Sequence, residues 1–169
     1  VSADSWTARD ATLTGDTLVE DTSTGNHYIT QTVAAPQANA AMAVSIDVAP
    51  GTGRYFKLQA SNIGFTDAVS SQFDLILGTV IANTNSGTGA GATGQIRPLP
   101  NGVFRCILLG TPSTGASNTT VVFQCMDALN VGSYTGTSRT WNVWGSQIES
   151  GPLATSYIPT TTASVTRNA

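Results

Sequence analysis

The stretch Met42-Ala43-Val44-Ser45-Ile46-Asp47-Val48-Ala49, closed by Pro50-Gly51, decides how this chain folds. Its larger apolar residues occupy every second position, and alanine, serine and aspartate fill the positions between. Successive side chains of a β-strand point to opposite faces, so this is the pattern of a strand with one row buried. A helix would group apolar residues three and four apart, which this stretch does not do. The Pro-Gly pair interrupts the ladder and marks a turn.

The same alternation recurs downstream. Phe56, Leu58 and Ala60 alternate with Tyr55, Lys57 and Gln59, and Phe73, Leu75 and Leu77 run up to Gly78. Phe104, Cys106 and Leu108 alternate with Val103, Arg105 and Ile107; Val121, Phe123 and Cys125 alternate with Val122, Gln124 and Met126. A strong strand is expected over 140–149, and earlier ones near 17–21 and 26–34. Clusters of Gly, Ser, Thr, Asn and Pro, notably 83–94 and 111–118, separate these runs. About nine or ten short strands with turn-rich links predict an all-β sandwich or barrel. No linker or internal repeat divides the chain, so residues 1–169 are read as one domain. The Thr-rich stretch 157–169 is expected to be an extended arm on the sandwich or the start of a linker.

Composition narrows the partners. Charged residues are 10% of the chain, against roughly 25% in an average soluble domain. A hydrophobic fraction of 40% argues against disorder. The net charge is −3 and no stretch concentrates Lys or Arg, so a nucleic acid is not the expected partner. No apolar run approaches the roughly 20 residues of a membrane helix. Val1 opens into polar sequence without the pattern of a signal peptide, and the chain is expected to be a domain of a larger protein.

Catalytic signals are thin. The single histidine, His27, has no nucleophile in an elbow motif to serve, and is read first as a strand-end residue satisfied by backbone or water, second as a ligand contact. Asp47, Asp67, Asp74, Asp127, Glu20 and Glu149 form no paired motif of the kind a glycosidase needs. The chain is therefore not expected to be an enzyme. The glycine-rich run Gly87 to Gly94 lacks the Lys-Ser/Thr ending of a phosphate loop and is read as a flexible strand connection. Cys106 and Cys125 cannot build a usual zinc site with one histidine. They are expected to face inward on successive strands, either as two buried thiols or as a cross-strand disulfide.

Sugar binding is the better candidate. Sugars present apolar ring faces and fixed hydroxyls, and proteins meet them with aromatic platforms and planar polar side chains. By parity, Tyr55, Lys57, Gln59, Arg105 and Gln124 point away from the core, forming a polar, aromatic-bearing face if their strands share a sheet. On the last strand Asn142 and Trp144 lie on one face, and Trp141, Val143 and Gln147 on the other. Trp144 is a candidate stacking platform, with burial in the core as its alternative.

A resemblance extends this reading. Trp144-Gly145-Ser146-Gln147-Ile148-Glu149-Ser150-Gly151, followed by Thr155-Ser156-Tyr157-Ile158-Pro159-Thr160, resembles the C-terminal signature of jelly-roll domains in bacteriophage tail-fibre and other virion proteins. Gly25-Asn26-His27-Tyr28-Ile29, Phe73-Asp74-Leu75 with Gly78-Thr79-Val80, Asn101-Gly102-Val103-Phe104-Arg105-Cys106 and Tyr134-Thr135-Gly136 follow that pattern in the same order, from about Trp6 to Arg167. Val103-Phe104 departs from it, standing where such domains usually carry Trp-Tyr. The resemblance implies an antiparallel two-sheet jelly roll, related to carbohydrate-binding modules, in a virion or extracellular setting. It implies a polysaccharide or cell-surface glycan as partner and a homo-oligomeric fibre as its context. It also implies a candidate structural calcium, with Asp10, Glu20, Asp21 or Glu149 as donors. The alternative is a structural virion or assembly domain without a sugar ligand.

Overall fold

The computed structural model describes residues 6–34, 40–113 and 118–156. Among them are fourteen strands: β1 (Thr7–Arg9), β2 (Ala11–Thr14), β3 (Thr17–Glu20), β4 (Thr24–Asn26), β5 (Tyr28–Ala34), β6 (Met42–Pro50), β7 (Tyr55–Ser61), β8 (Ala68–Asp74), β9 (Thr79–Ser86), β10 (Ala90–Pro98), β11 (Phe104–Thr111), β12 (Asn118–Met126), β13 (Ser133–Thr135) and β14 (Thr140–Ser150). A 3-10 turn at Pro100–Gly102 is the one helical element among the described residues. The strands form two antiparallel six-stranded sheets, in the orders β1-β5-β12-β7-β8-β9 (sheet A) and β10-β11-β6-β14-β3-β2 (sheet B). A small two-stranded sheet pairs β13 with β4. The chain is thus an all-β, two-sheet sandwich, as the alternation predicts. The predicted arm at 157–169 lies outside the described residues.

The core is made by the rows that the alternation assigns. Val44, Ile46 and Val48 of β6, Cys106 and Leu108 of β11, and Trp141 and Val143 of β14 meet Ile29 of β5, Phe56 and Leu58 of β7, Val69 and Phe73 of β8, and Val121, Phe123 and Cys125 of β12. Full burial of one such aliphatic or aromatic side chain is worth about 1.5–3 kcal/mol, so this shared layer holds the two sheets together. Trp6 stacks on Phe123 with ring centroids 4.5 Å apart and closes one side. Trp141 is the largest fully buried side chain. The β6–β7 turn lies flat on its ring: a Cβ at Gly53 would stand 2.1 Å from the indole, so only glycine fits there.

Four expectations are corrected. Leu77 does not continue the core row of β8; the strand ends at Asp74 and Leu77 sits in the following turn, 66% exposed. The glycine-rich run is not a loose connection. Gly87-Thr88-Gly89 makes a tight turn between β9 and β10, which belong to different sheets. Their edges are tied by side chains: Asn83 Oδ1 accepts from the Gly94 N–H (2.7 Å) and from Ser71 Oγ (2.7 Å), and Asn85 Oδ1 accepts from the Ala92 N–H (2.9 Å). A Cβ at Gly94 would come within 2.8–2.9 Å of Val80, Asn83 and Ser71, so the missing side chain is what lets the edges close.

The third correction concerns only the alternative reading of the cysteines; the first, two inward-facing buried thiols on successive strands, is what the structure shows. Cys106 lies on β11 in sheet B and Cys125 on β12 in sheet A, so they are not cross-strand partners that a disulfide would join. Both are free and buried, and burial pushes both thiols far above their usual range, which leaves them unreactive. The fourth concerns the last strand. Trp141 and Val143 face the core, but a bulge between Trp144 and Gln147, with Gly145 at φ +60°, adds a residue to β14. Gln147 therefore returns to the outward face with Trp144, and Ile148 turns in against the core.

Truncating Trp141 tests this packing. Trp141→Ala should cost about 3–5 kcal/mol in urea-induced unfolding. Trp141→Phe should cost clearly less, because the buried indole N–H has no hydrogen-bond partner among the described residues to lose.

Candidate functional site

The outer face of sheet A gathers side chains from five strands into one row. Arg9 on β1 stands opposite Tyr28 on β5, Tyr28 opposite Gln124 on β12, Gln124 opposite Lys57 on β7, and Lys57 opposite Gln72 on β8. Beside this row, Gln59 is flanked by Val122 and Ser70. An open cleft of about 310 Å³ lies over it, lined by Arg9, Asn26, Tyr28, Lys57, Gln59, Phe65, Val122 and Gln124. Lys57, Gln59 and Gln124 thus face outward as their parity predicts, and the strand order of sheet A brings them together. Tyr55 shares the sheet face but does not line the cleft. Its ring is covered by the Arg54 guanidinium, 4.9 Å from the centroid, which is itself clamped by Asp74 through bonds of 2.6–3.0 Å.

One loop makes a wall of the cleft. The β7–β8 loop is drawn tight by Asn62, whose Oδ1 accepts from the backbone N–H of Thr66 (3.0 Å) and of Asp67 (3.3 Å). Its Nδ2 donates to Thr66 Oγ1 (2.8 Å) and Asp67 Oδ2 (2.9 Å). At its tip Phe65 holds a left-handed backbone (φ +58°) and leaves its ring 45% exposed. A non-glycine residue in that region costs of order 1–3 kcal/mol, and surrounding bonds must hold it there. The segment after β12 is fastened to the same row from outside the cleft lining. Gln72 grips it at both ends of its amide, donating to Asn130 Oδ1 (2.8 Å) and accepting from the Asn130 N–H (2.9 Å). Gln124 Nε2 donates to Asn26 Oδ1 and to the Gly132 carbonyl, both at 3.1 Å. Sequence reasoning missed Arg9, Asn26, Tyr28, Phe65 and Val122. Tyr28 and Val122 were legible from parity; Phe65 sits in a loop, where periodicity carries no signal.

The remaining candidates lie elsewhere. Arg105 is on β11 and Asn142 and Trp144 are on β14, so all three belong to sheet B and are remote from the face that carries Lys57. Arg105 is buried there, donating to Asp47 Oδ1 (3.0 Å), the Gly145 carbonyl (2.8 Å) and Ser45 Oγ (2.8 Å). It secures the β14 bulge. His27 is fully buried, as its strand-end reading anticipates: Nδ1 meets the Asp10 carbonyl at 2.5 Å and Nε2 the Tyr134 carbonyl at 3.2 Å. It has no access to a ligand.

Glu20, a candidate calcium donor, is buried in a hub of the protein's own donors. Tyr134 Oη, the Thr137 N–H (2.8 Å) and Arg139 Nε (2.9 Å) all donate to its carboxylate. Arg139 also reaches Asp127 at 2.7 Å and lies over the Tyr134 ring. Glu149 accepts from Thr155, and Asp21 from Ser23. No group of three His, Cys, Asp or Glu side chains able to hold a metal occurs among the described residues. The cleft lining likewise includes no carboxylate among the described residues.

With this geometry in view, a scan against protein-family models and a search of curated proteins each return no match to the chain.

The hub predicts an acid response. Burial disfavours the Glu20 charge, but the donors from Tyr134, Thr137 and Arg139 outweigh it and hold the carboxylate below its ordinary range. Arg54, opposed by burial and helped by the Leu77 and Ile76 N–H groups, does the same for Asp74. Unfolded carboxylates titrate near pH 4, so unfolding takes up protons below about pH 5. Stability should be level above that and fall as the pH drops through the depressed folded values. Glu20→Gln with Asp74→Asn should flatten the fall, read as the urea midpoint between pH 7 and pH 3.

Proposed function

We propose that the chain is a non-catalytic carbohydrate-binding module of jelly-roll type, and that the cleft on sheet A is its glycan site. The observation that carries this reading is the pairing of an exposed, backbone-strained aromatic, Phe65, with the planar amides of Gln59 and Asn26 and the phenol of Tyr28 on one rigid face. Phe65 supplies an apolar plane for a sugar ring, and the amides supply donors and acceptors for its hydroxyls. Among the described residues the lining has no pair of carboxylates to act as acid and nucleophile, which favours binding over hydrolysis.

The volume is at the low end of small-ligand sites, roughly 300–1,000 Å³, so the site takes a short piece of a polymer. Weak single-site affinity is the consequence. Repetition of the module in a fibre would multiply it without new contacts. The setting we propose is a phage tail or a secreted protein that acts on polysaccharide, with a polysaccharide or cell-surface glycan as partner. A structural assembly domain is the second reading, favoured by Ile76 and Leu77, adjacent and both more than 60% exposed in the β8–β9 turn.

Affinity electrophoresis through gels cast with a panel of polysaccharides tests the proposal. Phe65→Ala and Gln59→Ala should each weaken retention about tenfold, equal to roughly 1.4 kcal/mol. Trp144→Ala and Asn142→Ala, on the opposite sheet, should leave it unchanged. Retention on no glycan, or loss on Trp144→Ala alone, would reject the sheet A site.

A further inference from the structure

The cleft has one feature that a neutral sugar does not require. Lys57 is the only lysine in the chain, and it stands on the central row of the cleft floor. Its neighbours across the ladder are Gln124 and Gln72, and both amides are engaged elsewhere, with Asn26, Asn130 and Gly132. Asp67, on the loop that carries Phe65, is held by Asn62 Nδ2 and the Thr88 N–H, and three other carboxylates around this end of the molecule are engaged with other cations. Asp74 is bound by Arg54, Asp127 by Arg139, and Asp10 lies 3.8 Å from Arg9. Among the described residues Lys57 has neither a carboxylate nor a hydrogen-bond acceptor as partner. Half-burial without a partner disfavours the ammonium and lowers its affinity for the proton. A protein that needed only a stem to pack against Val122 would do better with leucine or methionine at this position, since an uncompensated charge costs stability.

Resting on the glycan reading above, we propose that the cleft selects an anionic sugar, one that carries a carboxylate or a sulfate, and that the Lys57 ammonium is its countercharge. Arg9, exposed at the rim beside Tyr28, is the second cation facing the site. An ammonium on a flexible stem suits this task, because it meets a carboxylate or sulfate as a point charge without demanding one planar geometry. Phe65 then holds the ring face, and Gln59 reads its hydroxyls. The attraction works at short range. The net charge of −3 repels a polyanion at a distance, so selectivity arises from the desolvated floor of the cleft, where screening is weak.

The test uses the same chain and polymers of three kinds: a carboxylated one (polygalacturonate, alginate), a sulfated one (dextran sulfate) and a neutral one (dextran, galactomannan). Retention of the unaltered protein should be confined to one or both anionic classes, and the class that binds names the anion. Lys57→Met should reduce it at least tenfold and Lys57→Arg much less. Arg97→Gln, which removes an exposed cation from β10 of sheet B, should change nothing. Should Lys57→Met fail to fold, the unaltered chain still answers. Reductive ¹³C-methylation labels Lys57 as its one side-chain amine, and saturating oligogalacturonate or a sulfated oligosaccharide should move that signal and raise its titration midpoint. Equal retention of Lys57→Met on a neutral glycan, lost on Phe65→Ala, overturns the anionic inference and leaves the carbohydrate reading standing. A loss on Arg97→Gln as large as that on Lys57→Met overturns it as well, by showing unspecific charge attraction. Retention on none of the polymers overturns both.

Discussion

The apolar layer between the two sheets is the constraint on which everything else depends. Its members, from Val44, Ile46 and Val48 on one side to Phe56, Leu58 and Phe123 on the other, leave water only if both sheets stay in register. A strand has two faces and a period of two, so assigning one row to this layer assigns the other row to the outside. Lys57, Gln59 and Gln124 face outward because Phe56, Leu58, Phe123 and Cys125 face inward. The chemistry of the candidate site is therefore a consequence of core packing. A shift of one residue in β7 or β12 would exchange the cleft floor for the core.

Around that layer, polar groups do the work of placement. Asn62 holds the loop that raises Phe65, Gln72 and Gln124 hold the segment after β12, and Arg105 holds the bulge of β14. In each case one side chain makes two or more hydrogen bonds, at least one of them to a backbone group that the local strand pattern leaves open. Glu20 is the densest of these anchors. It joins Tyr134, Thr137 and Arg139 at the end of the sandwich where β4 and β13 pair and where His27 spans from Asp10 to Tyr134. The stretches Gly25-Asn26-His27-Tyr28 and Tyr134-Thr135-Gly136 are neighbours there. A Cβ at Gly136 would stand 1.9 Å from the Asp21 carbonyl and 2.9 Å from the His27 ring. Local packing accounts for residues that in the bare sequence resemble a signature.

Where parity failed, it failed for nameable reasons. Gln147 is on the other side from its predicted face because a bulge adds one residue, and a bulge has no alternation to betray it. Leu77 is outside because Asp74, bonded to Arg54 and to the Ile76 and Leu77 N–H groups, ends β8 and turns the chain first. The run from Asn83 to Gly94 looks loose because its ties are side chain to backbone across two sheets, a pairing without a local pattern. Cys106 and Cys125 are on successive strands in sequence yet in different sheets, since the chain crosses the sandwich between them.

By itself, then, the sequence determined the all-β class, the buried rows and the outward direction of Lys57, Gln59 and Gln124. Those properties follow from steric alternation along one strand, which any stretch of chain carries within itself. Only the tertiary structure decided which outward residues share a sheet. It separated Arg105, Asn142 and Trp144 from Lys57, buried His27, and brought Phe65, Arg9 and Tyr28 to the same cleft. Strand order depends on which distant rows pack best against each other, a choice made by the whole core at once and written in no single segment.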